Sequence, residues 1–385
     1  MNRRRALGVG GVAAVALAGA LVWWQPWNGH GSDADRVAAA VSTTTAATAE
    51  PTTTTVPAAV TLAPLTGLPV PEERVASLVR PALVAKIDGA AQAMPQVGLG
   101  TADVVLEVRV EGISRYLAVW HSQDVQDIGP VRSARTTDPD LLAMFGHPLF
   151  AFSGGNSGVL AAVGSSSWQQ SVSHDVAPGA HRRTTVKRPP HNLIADAPEL
   201  WSLAEDPVQL PTPLFLTPPP AAVADPPGPG DPVPEEPDPA PGEPVPGVTV
   251  PVGSGATFAW DAERGGWLRW AHGIPHRSVD STEGSTGGGE QLAPTNVVVL
   301  ETSYVSSPAD DRSPEAVSLG NGRAWVLSGG TMQDGTWTRD DRTRPWDLRD
   351  ASGAPMVLDA GTTWVVLADG APTVLDAAAV QALPR

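Results

Sequence analysis

Hydrophobic and polar positions along this chain alternate in short bursts rather than in long helical stripes. Across residues 103–111, Val104, Leu106, Val108 and Val110 fall on one side of an extended chain, with Val105, Glu107, Arg109 and Glu111 on the other. That period of two predicts a half-buried strand. Arg115 to His121 repeats the pattern after Gly112, so the two runs should pair as a hairpin. Ala82 to Asp88 is a largely apolar run stopped by Gly89 and predicts a buried strand. Leu149 to Ser153 predicts another, leading through Gly154-Gly155-Asn156-Ser157-Gly158 into an apolar helical turn at Val159 to Val163. Asp196-Ala197-Pro198-Glu199 carries the capping residues of a helix start, followed by Leu200, Trp201 and Leu203. Pro213 to Thr217 predicts the strand that closes this first segment.

Gly129 to Asp138 organises the first segment. Gly129-Pro130 punctuates the chain, and Asp138-Pro139 predicts an N-cap with proline at the first helical position, ahead of the apolar run Leu141 to Phe145. Between them stand Arg132 and Arg135, three residues apart. Charge on a strand-to-helix connection is where sites tend to form, because loops held by a rigid scaffold carry function.

Past residue 247 the pattern is short strands and glycine-rich turns. Val248 to Val252, Thr257 to Trp260, Trp267 to Ala271, Asn296 to Glu301, Arg323 to Leu327 and Thr362 to Ala368 are the predicted strands, with a last helix over Leu375 to Leu383. The predicted fold class is α/β in the broad α+β sense: a layered sheet-and-helix sandwich. An α/β half spans 62–217 and a mostly-β half spans 248–385. Between them, 218–247 is proline-rich and holds six acidic residues with no basic one, which predicts an extended acidic linker or a surface loop within one domain.

The N-terminus changes the picture. Arg3-Arg4-Arg5 precedes an apolar run from Ala6 to Trp24, with Trp23, Trp24 and Trp27 placed like an interfacial belt. The run continues past the small residues Ala18-Gly19-Ala20, so residues 1–27 predict an uncleaved single-pass anchor, with a cleaved secretory signal as the alternative. Residues 28–61 are rich in Ala, Thr, Ser and Pro and predict a disordered stalk, a candidate for O-glycosylation. The folded part is then expected outside the cytoplasm, tethered to the membrane through the N-terminal segment.

Composition narrows the functions. The 385 residues carry a net charge of -16 and no long basic stripe, which argues against nucleic acid as a partner. Cysteine is absent, so disulfides, thiolate catalysis and a lipid-modified N-terminal cysteine are excluded. The excess of Arg over Lys (only Lys86 and Lys187) reads as codon bias rather than function.

Several constellations hold candidate chemistry. Arg132 and Arg135 can fork a carboxylate or phosphate near a helix start; the structural alternative pairs them with Glu107, Glu111 or Asp138. The turn Ser153-Gly154-Gly155-Asn156 allows backbone amides to converge on an anion, and a plain strand–helix turn is the favoured alternative. His174, His181 and His191 lie near Asp175 and Asn192, but their spacings match no metal-ligand motif, so no metal and no cofactor is expected. His191 beside Asn192 is an acid–base candidate if it faces a cleft, and His276 has the same status in the second half. The tryptophans of the second half are expected in the core rather than on a sugar-stacking face.

The segments Pro64 to Leu68, Glu107 to Arg115 with its Glu-Gly-Ile-Ser-Arg, Ile128 to Arg135 and Pro190-His191-Asn192-Leu193 resemble the YerB-like family, the domain of unknown function 3048. Gly273 to His276, Asn296 to Val299 and Gly361 to Val365 resemble its C-terminal domain. The resemblance implies a bacterial, often lipid-anchored envelope protein with a layered α/β fold. This chain lacks the lipidation cysteine, so anchoring would fall to the apolar segment. The family's activity is not established, so no catalytic role carries over. Glu107, Glu111, Arg115, Arg132, Arg135, His191 and Asn192 fall within its marked motifs. The expected function is a non-enzymatic module binding an anionic cell-wall component or a wall-synthesis protein of the envelope. The alternative is a hydrolase or transferase on a wall polymer, with Glu107 or Glu111 and His191 as acid and base and the arginines as an anion clamp.

Overall fold

A computed structural model describes residues 60–218, 242–281 and 288–385. The expected anchor, all but the last two residues of the expected stalk and most of the proline-rich segment lie outside the described residues. Among the described residues no helix is long and apolar enough to cross a membrane.

The fold is mixed α+β and dominated by strands. Its centre is one large sheet to which both halves of the sequence contribute. From one edge to the other it runs Glu243–Pro244, Thr331–Arg339, Gly320–Ser328, Asn296–Glu301, Thr363–Ala368, Val104–Val110, Ile113–Trp120, Leu83–Asp88, Leu149–Ala151 and Gln170–Ser171. Asp347–Asp350 adds to Thr331–Arg339 near the first edge. The seam between the halves is the parallel pairing of Thr363–Ala368 with Val104–Val110, in which Trp364 stands opposite Val105 and Val366 opposite Glu107. The boundary inferred from composition therefore does not separate two sheets. Its last residues also belong to the fold: Glu243–Pro244 is a strand, and Val245 is buried.

The Val104–Val110 and Ile113–Trp120 strands form the expected hairpin, with Glu107 opposite Tyr116 and Val108 opposite Arg115. Its two-residue turn has Glu111 at φ 40 and Gly112 at φ 84, the left-handed pair that matches the twist of the flanking strands. Glycine bears the second of these without a Cβ penalty, whereas Glu111 is held there.

The alternation predicted half burial; the structure buries both sides of Val104–Val110 apart from partial exposure at Arg109. The reason is that each face of the sheet is covered. Leu83, Ala85, Ile87, Val105, Tyr116 and Trp120 pack on one face with Phe258, Trp267 and Trp364. Val84, Leu106, Val108, Leu117 and Phe150 pack on the other with Leu141, Phe145 and Val159. Burying side chains of this size stabilises by roughly 1.5–3 kcal/mol each, which outweighs what a wet face would gain. A second sheet runs Ile274–Pro275, Gly266–Ala271, Ala256–Asp261, Gly247–Val250 and Thr373–Leu375. Among the seven tryptophans of this half, six are buried and Trp260 is half-buried against Trp267.

Three expectations are corrected. Pro213 to Thr217 is no strand; only Leu216 bridges, to Val357. The last helix is Ala377–Gln381, shorter than expected, with Asp376 as its cap. The helix after the arginines is Asp138–Leu142, so Thr137 occupies the N-cap position and Asp138 the first helical one. Asp138 is drawn inward because Lys86 is fully buried and needs a counter-charge: the two are 2.6 Å apart with neither side chain exposed.

Candidate functional site

Arg115, Arg132 and Arg135 gather at one end of the central hairpin. Arg115 is directly opposite Asp88 on the neighbouring strand, so their side chains share a face. Arg132 joins the same end because its N–H donates to the Lys86 carbonyl (2.8 Å) and its own carbonyl accepts from Ser153 N–H (2.9 Å). Arg135 is placed by the buried Asp138, whose Oδ2 accepts from its backbone N–H at 2.7 Å.

The three guanidinium groups are not equally satisfied. Arg135 donates to Glu111 Oε1 at 2.5 Å and to the Ala134 carbonyl at 2.8 Å. Arg132 Nε lies 3.2 Å from Asp88 Oδ2. Arg115 donates to the Ser133 carbonyl at 2.9 Å, and the nearest carboxylate, Glu111, is 3.9 Å away. The Nε atoms of all three are buried without a hydrogen-bond partner. Burial, then repulsion from Arg135 and Arg132, lowers the Arg115 guanidinium to about 10.

Beside Arg135 opens a recess of about 250 Å³ lined by Glu111, Ser133, Arg135, Gly155, Asn156, Val159 and Ser313. Gly154, at φ 76, turns the chain there, and the Asn156 side chain caps the helix Ser157–Gly164 by accepting from Val159 N–H at 2.9 Å. The first turn of that helix thus borders the recess, and its dipole adds to the preference for negative charge. Ser313 comes from the second half, is 2% exposed, and leaves its Oγ without a partner.

The structure separates the other predicted residues. Glu107 is on the opposite face from Arg115, since it pairs across the hairpin with Tyr116. It is sealed: Oε2 accepts from Arg269 at 2.7 Å and from Trp364 Nε1 at 2.8 Å. The acid–base pairing of Glu107 with His191 is therefore not formed, because burial commits Glu107 to Arg269. Glu111 is committed to the arginines. His191 meets instead a carboxylate that sequence reasoning passed over, Asp88, with Nδ1 2.7 Å from Oδ2. Asn192 is spent on its own loop, accepting from Arg183 and donating to the Thr184 carbonyl. Ser153 Oγ donates to the Val131 carbonyl, and the Gly154 carbonyl accepts from Ala134 N–H, so these two build the turn. His174 packs edge-on to His181, and among the described residues no group of His, Asp and Glu has the arrangement of a metal site. His276 is fully buried on Arg269 and Gln96. Lys86 and Asp88 could have been found: they are two charges, two apart, inside an apolar strand. Ser313 gave no signal.

These features coincide with a family. The N-terminal domain described as a protein of unknown function (DUF3048) matches residues 65–208, and the corresponding C-terminal domain matches residues 248–365. The chain belongs to this YerB-like family. It is 34% identical over 144 residues to "Putative lipoprotein YerB" of Bacillus subtilis (strain 168), a match spanning 37% of this chain and 42% of that protein. The crystal structure of the Bacillus subtilis YerB protein superimposes with a TM-score of 0.65 at 22% identity, covering 82% of this chain and all of that one. That likeness concerns the fold.

Proposed function

We propose that this protein is an extracytoplasmic, envelope-associated module that binds an anionic cell-wall component on the row Arg132–Arg115–Arg135. The observation that carries it is Arg115: a buried guanidinium between two others, with no carboxylate in hydrogen-bond contact. A bound phosphate or carboxylate would supply the missing counter-charge in a setting where charge-assisted bonds are strong. The recess beside Arg135 gives the ligand a place, and the orphaned Ser313 hydroxyl gives it a further partner. Localisation rests on the basic and apolar N-terminus, which serves as a single-pass anchor, and on a relative whose name contains the word lipoprotein.

The test is sedimentation of the purified protein, from residue 60 onward, with isolated wall material that retains its anionic polymers. Replacing Arg132 and Arg135 together by Ala should weaken binding by roughly 3 kcal/mol, about two orders of magnitude, at 1.5–3 kcal/mol per lost charged hydrogen bond. Binding should also fall steeply with salt. Unchanged binding by the double variant removes this reading.

A further inference from the structure

We infer that His191, oriented by Asp88 and flanked by Arg132, is a general acid–base group that hydrolyses a phosphodiester bound on the arginine row. The inference rests on the anion-binding reading above and adds a reaction to it.

Asp88 is buried, 1% exposed. Its Oδ1 accepts from Ala90 N–H at 3.1 Å. Its Oδ2 is 2.7 Å from His191 Nδ1 and 3.2 Å from Arg132 Nε. One oxygen atom thus holds an imidazole and a guanidinium side by side. A carboxylate can only accept, so the proton of a neutral His191 is assigned to Nδ1, which leaves the Nε2 lone pair available. Nε2 has no hydrogen-bond partner among the described residues. Both His191 and Arg132 keep about a fifth of their side chains open, at 21% each.

The loop that carries His191 is anchored on both sides. Lys187 Nζ donates to the Ala93 and Pro95 carbonyls before it. Asn192, bound to Arg183 and Thr184, fixes the chain after it. Asp88 is itself tied in through its carbonyl, which accepts from Gln96 Nε2 at 2.9 Å. A histidine oriented by a buried acid and set beside a guanidinium on the same carboxylate oxygen is an arrangement that general acid–base catalysis uses.

The ligand class follows from the neighbours. Arg132, a fifth open, presents a planar fork suited to phosphate oxygens and to the charge that develops on them in the transition state, and the buried Arg115 adds positive charge behind it. Among the described residues no hydroxyl is hydrogen-bonded to Nε2 to act as a protein nucleophile, so water is the attacking group in this proposal. Nε2 takes a proton from water as the water oxygen bonds to phosphorus. The P–O bond to one ester oxygen breaks, and the imidazolium returns the proton to that leaving oxygen. The Asp88 carboxylate, 2.7 Å from Nδ1, stabilises the imidazolium. The products are a phosphomonoester and an alcohol, and nothing is oxidised or reduced.

The experiment uses bis(p-nitrophenyl) phosphate as probe with the purified full chain, following p-nitrophenol release, alongside the wall-binding assay on the same preparations. Turnover above buffer is expected, with His191→Gln reducing it by about 100-fold or more while the melting temperature holds. Asp88→Asn, the positioning variant, should lower turnover less and move the acid limb of the pH–rate profile. Turnover that survives His191→Gln, or no turnover by a wild type that binds wall material, overturns this inference and leaves the binding reading intact. A wild type that fails to bind wall material overturns the binding reading instead, whatever the probe shows.

Discussion

Among the described residues the same three kinds of side chain, a carboxylate, an arginine and a histidine, meet on both faces of one sheet. On one face Glu107, Arg269 and His276 form a closed chain that continues through Gln96, whose Oε1 is 2.8 Å from His276 Nε2. On the other, Asp88 holds Arg132 and His191 at a rim. Gln96 touches both groups, since its amide also donates to the Asp88 carbonyl. In the first group Arg269 and His276 are 0% exposed, and the surrounding rings of Tyr116, Phe258 and Trp364 stack around the guanidinium. In the second, cations outnumber the carboxylates they share, and a recess opens beside Arg135. Neither residue type nor an orphaned atom marks a site, since Glu107 Oε1 and Arg269 Nε are also buried without a partner; access and an excess of cations over carboxylates do. The sealed group joins sequence-distant strands and belongs to folding, while the open one is available to a ligand.

The largest effect is expected from breaking the sealed group. Glu107→Ala leaves Arg269 as an uncompensated buried charge and should cost ~3–5 kcal/mol by chemical denaturation. Replacing both partners, Glu107→Leu with Arg269→Met, should recover much of that loss, since well-packed apolar pairs often match a buried ion pair. A loss under about 1 kcal/mol for Glu107→Ala would erase the proposed distinction between the two groups.

Acid pH probes the same contrast. Burial, then repulsion from Arg269, holds His276 well below its ordinary 6.5. At pH above 6.5 both folded and unfolded chains carry it neutral, so it has no effect there. As pH falls below 6.5 the unfolded chain takes up a proton that the folded chain refuses, so stability is lost toward acid. Burial acts the same way on His121, lowered to about 4, and on His181. His276→Gln should therefore reduce the slope of stability against pH between 6 and 5 by up to about 1.4 kcal/mol per pH unit, one proton's worth, without flattening it. An unchanged slope would mean that His276 is not buried neutral.

How far the sequence foretold this differs between fold and site. Strands with strict alternation or continuous apolar runs, such as Asn296–Glu301 and Thr363–Ala368, were legible because a buried sheet demands that pattern. Thr331–Arg339 was not: Gln333, Asp334 and Gly335 interrupt it near an edge, where polar residues cost little. The shared sheet was hidden because pairing between Thr363–Ala368 and Val104–Val110 is a contact across more than 250 residues, and local patterning carries no trace of it. The arginine turn was visible as charge on a connection. Its arginines' possible partners were narrowed to Glu107, Glu111 and Asp138, of which Glu111 and Asp138 hold Arg135. Which glutamate it would be was not legible, because only the face of the sheet separates Glu107 from Glu111, and the Asp88 that meets Arg132 was missed. Asp88 was legible only as the last residue of a buried strand, although a carboxylate two residues after Lys86 in an apolar run must find a partner.

The smallest predicted effect concerns Glu111 and sharpens the open end of the comparison. It is held at the tip of the hairpin with φ 40, its side chain 40% exposed, 2.5 Å from Arg135 and 3.9 Å from Arg115. It therefore occupies the arginines that an incoming anion needs, and binding must displace it. An exposed ion pair of this kind contributes up to ~1 kcal/mol. Glu111→Gln removes that competition, so affinity for anionic wall material should rise by up to about fivefold, the equivalent of that energy, with stability lowered by no more than the same ~1 kcal/mol. A fall in affinity would instead place Glu111 among the groups that hold the ligand, accepting from its hydroxyls next to an anion on Arg115. Measuring the salt dependence of both proteins separates the cases: loss of a competing charge raises affinity most at low salt, whereas loss of a hydroxyl acceptor lowers it equally at every salt.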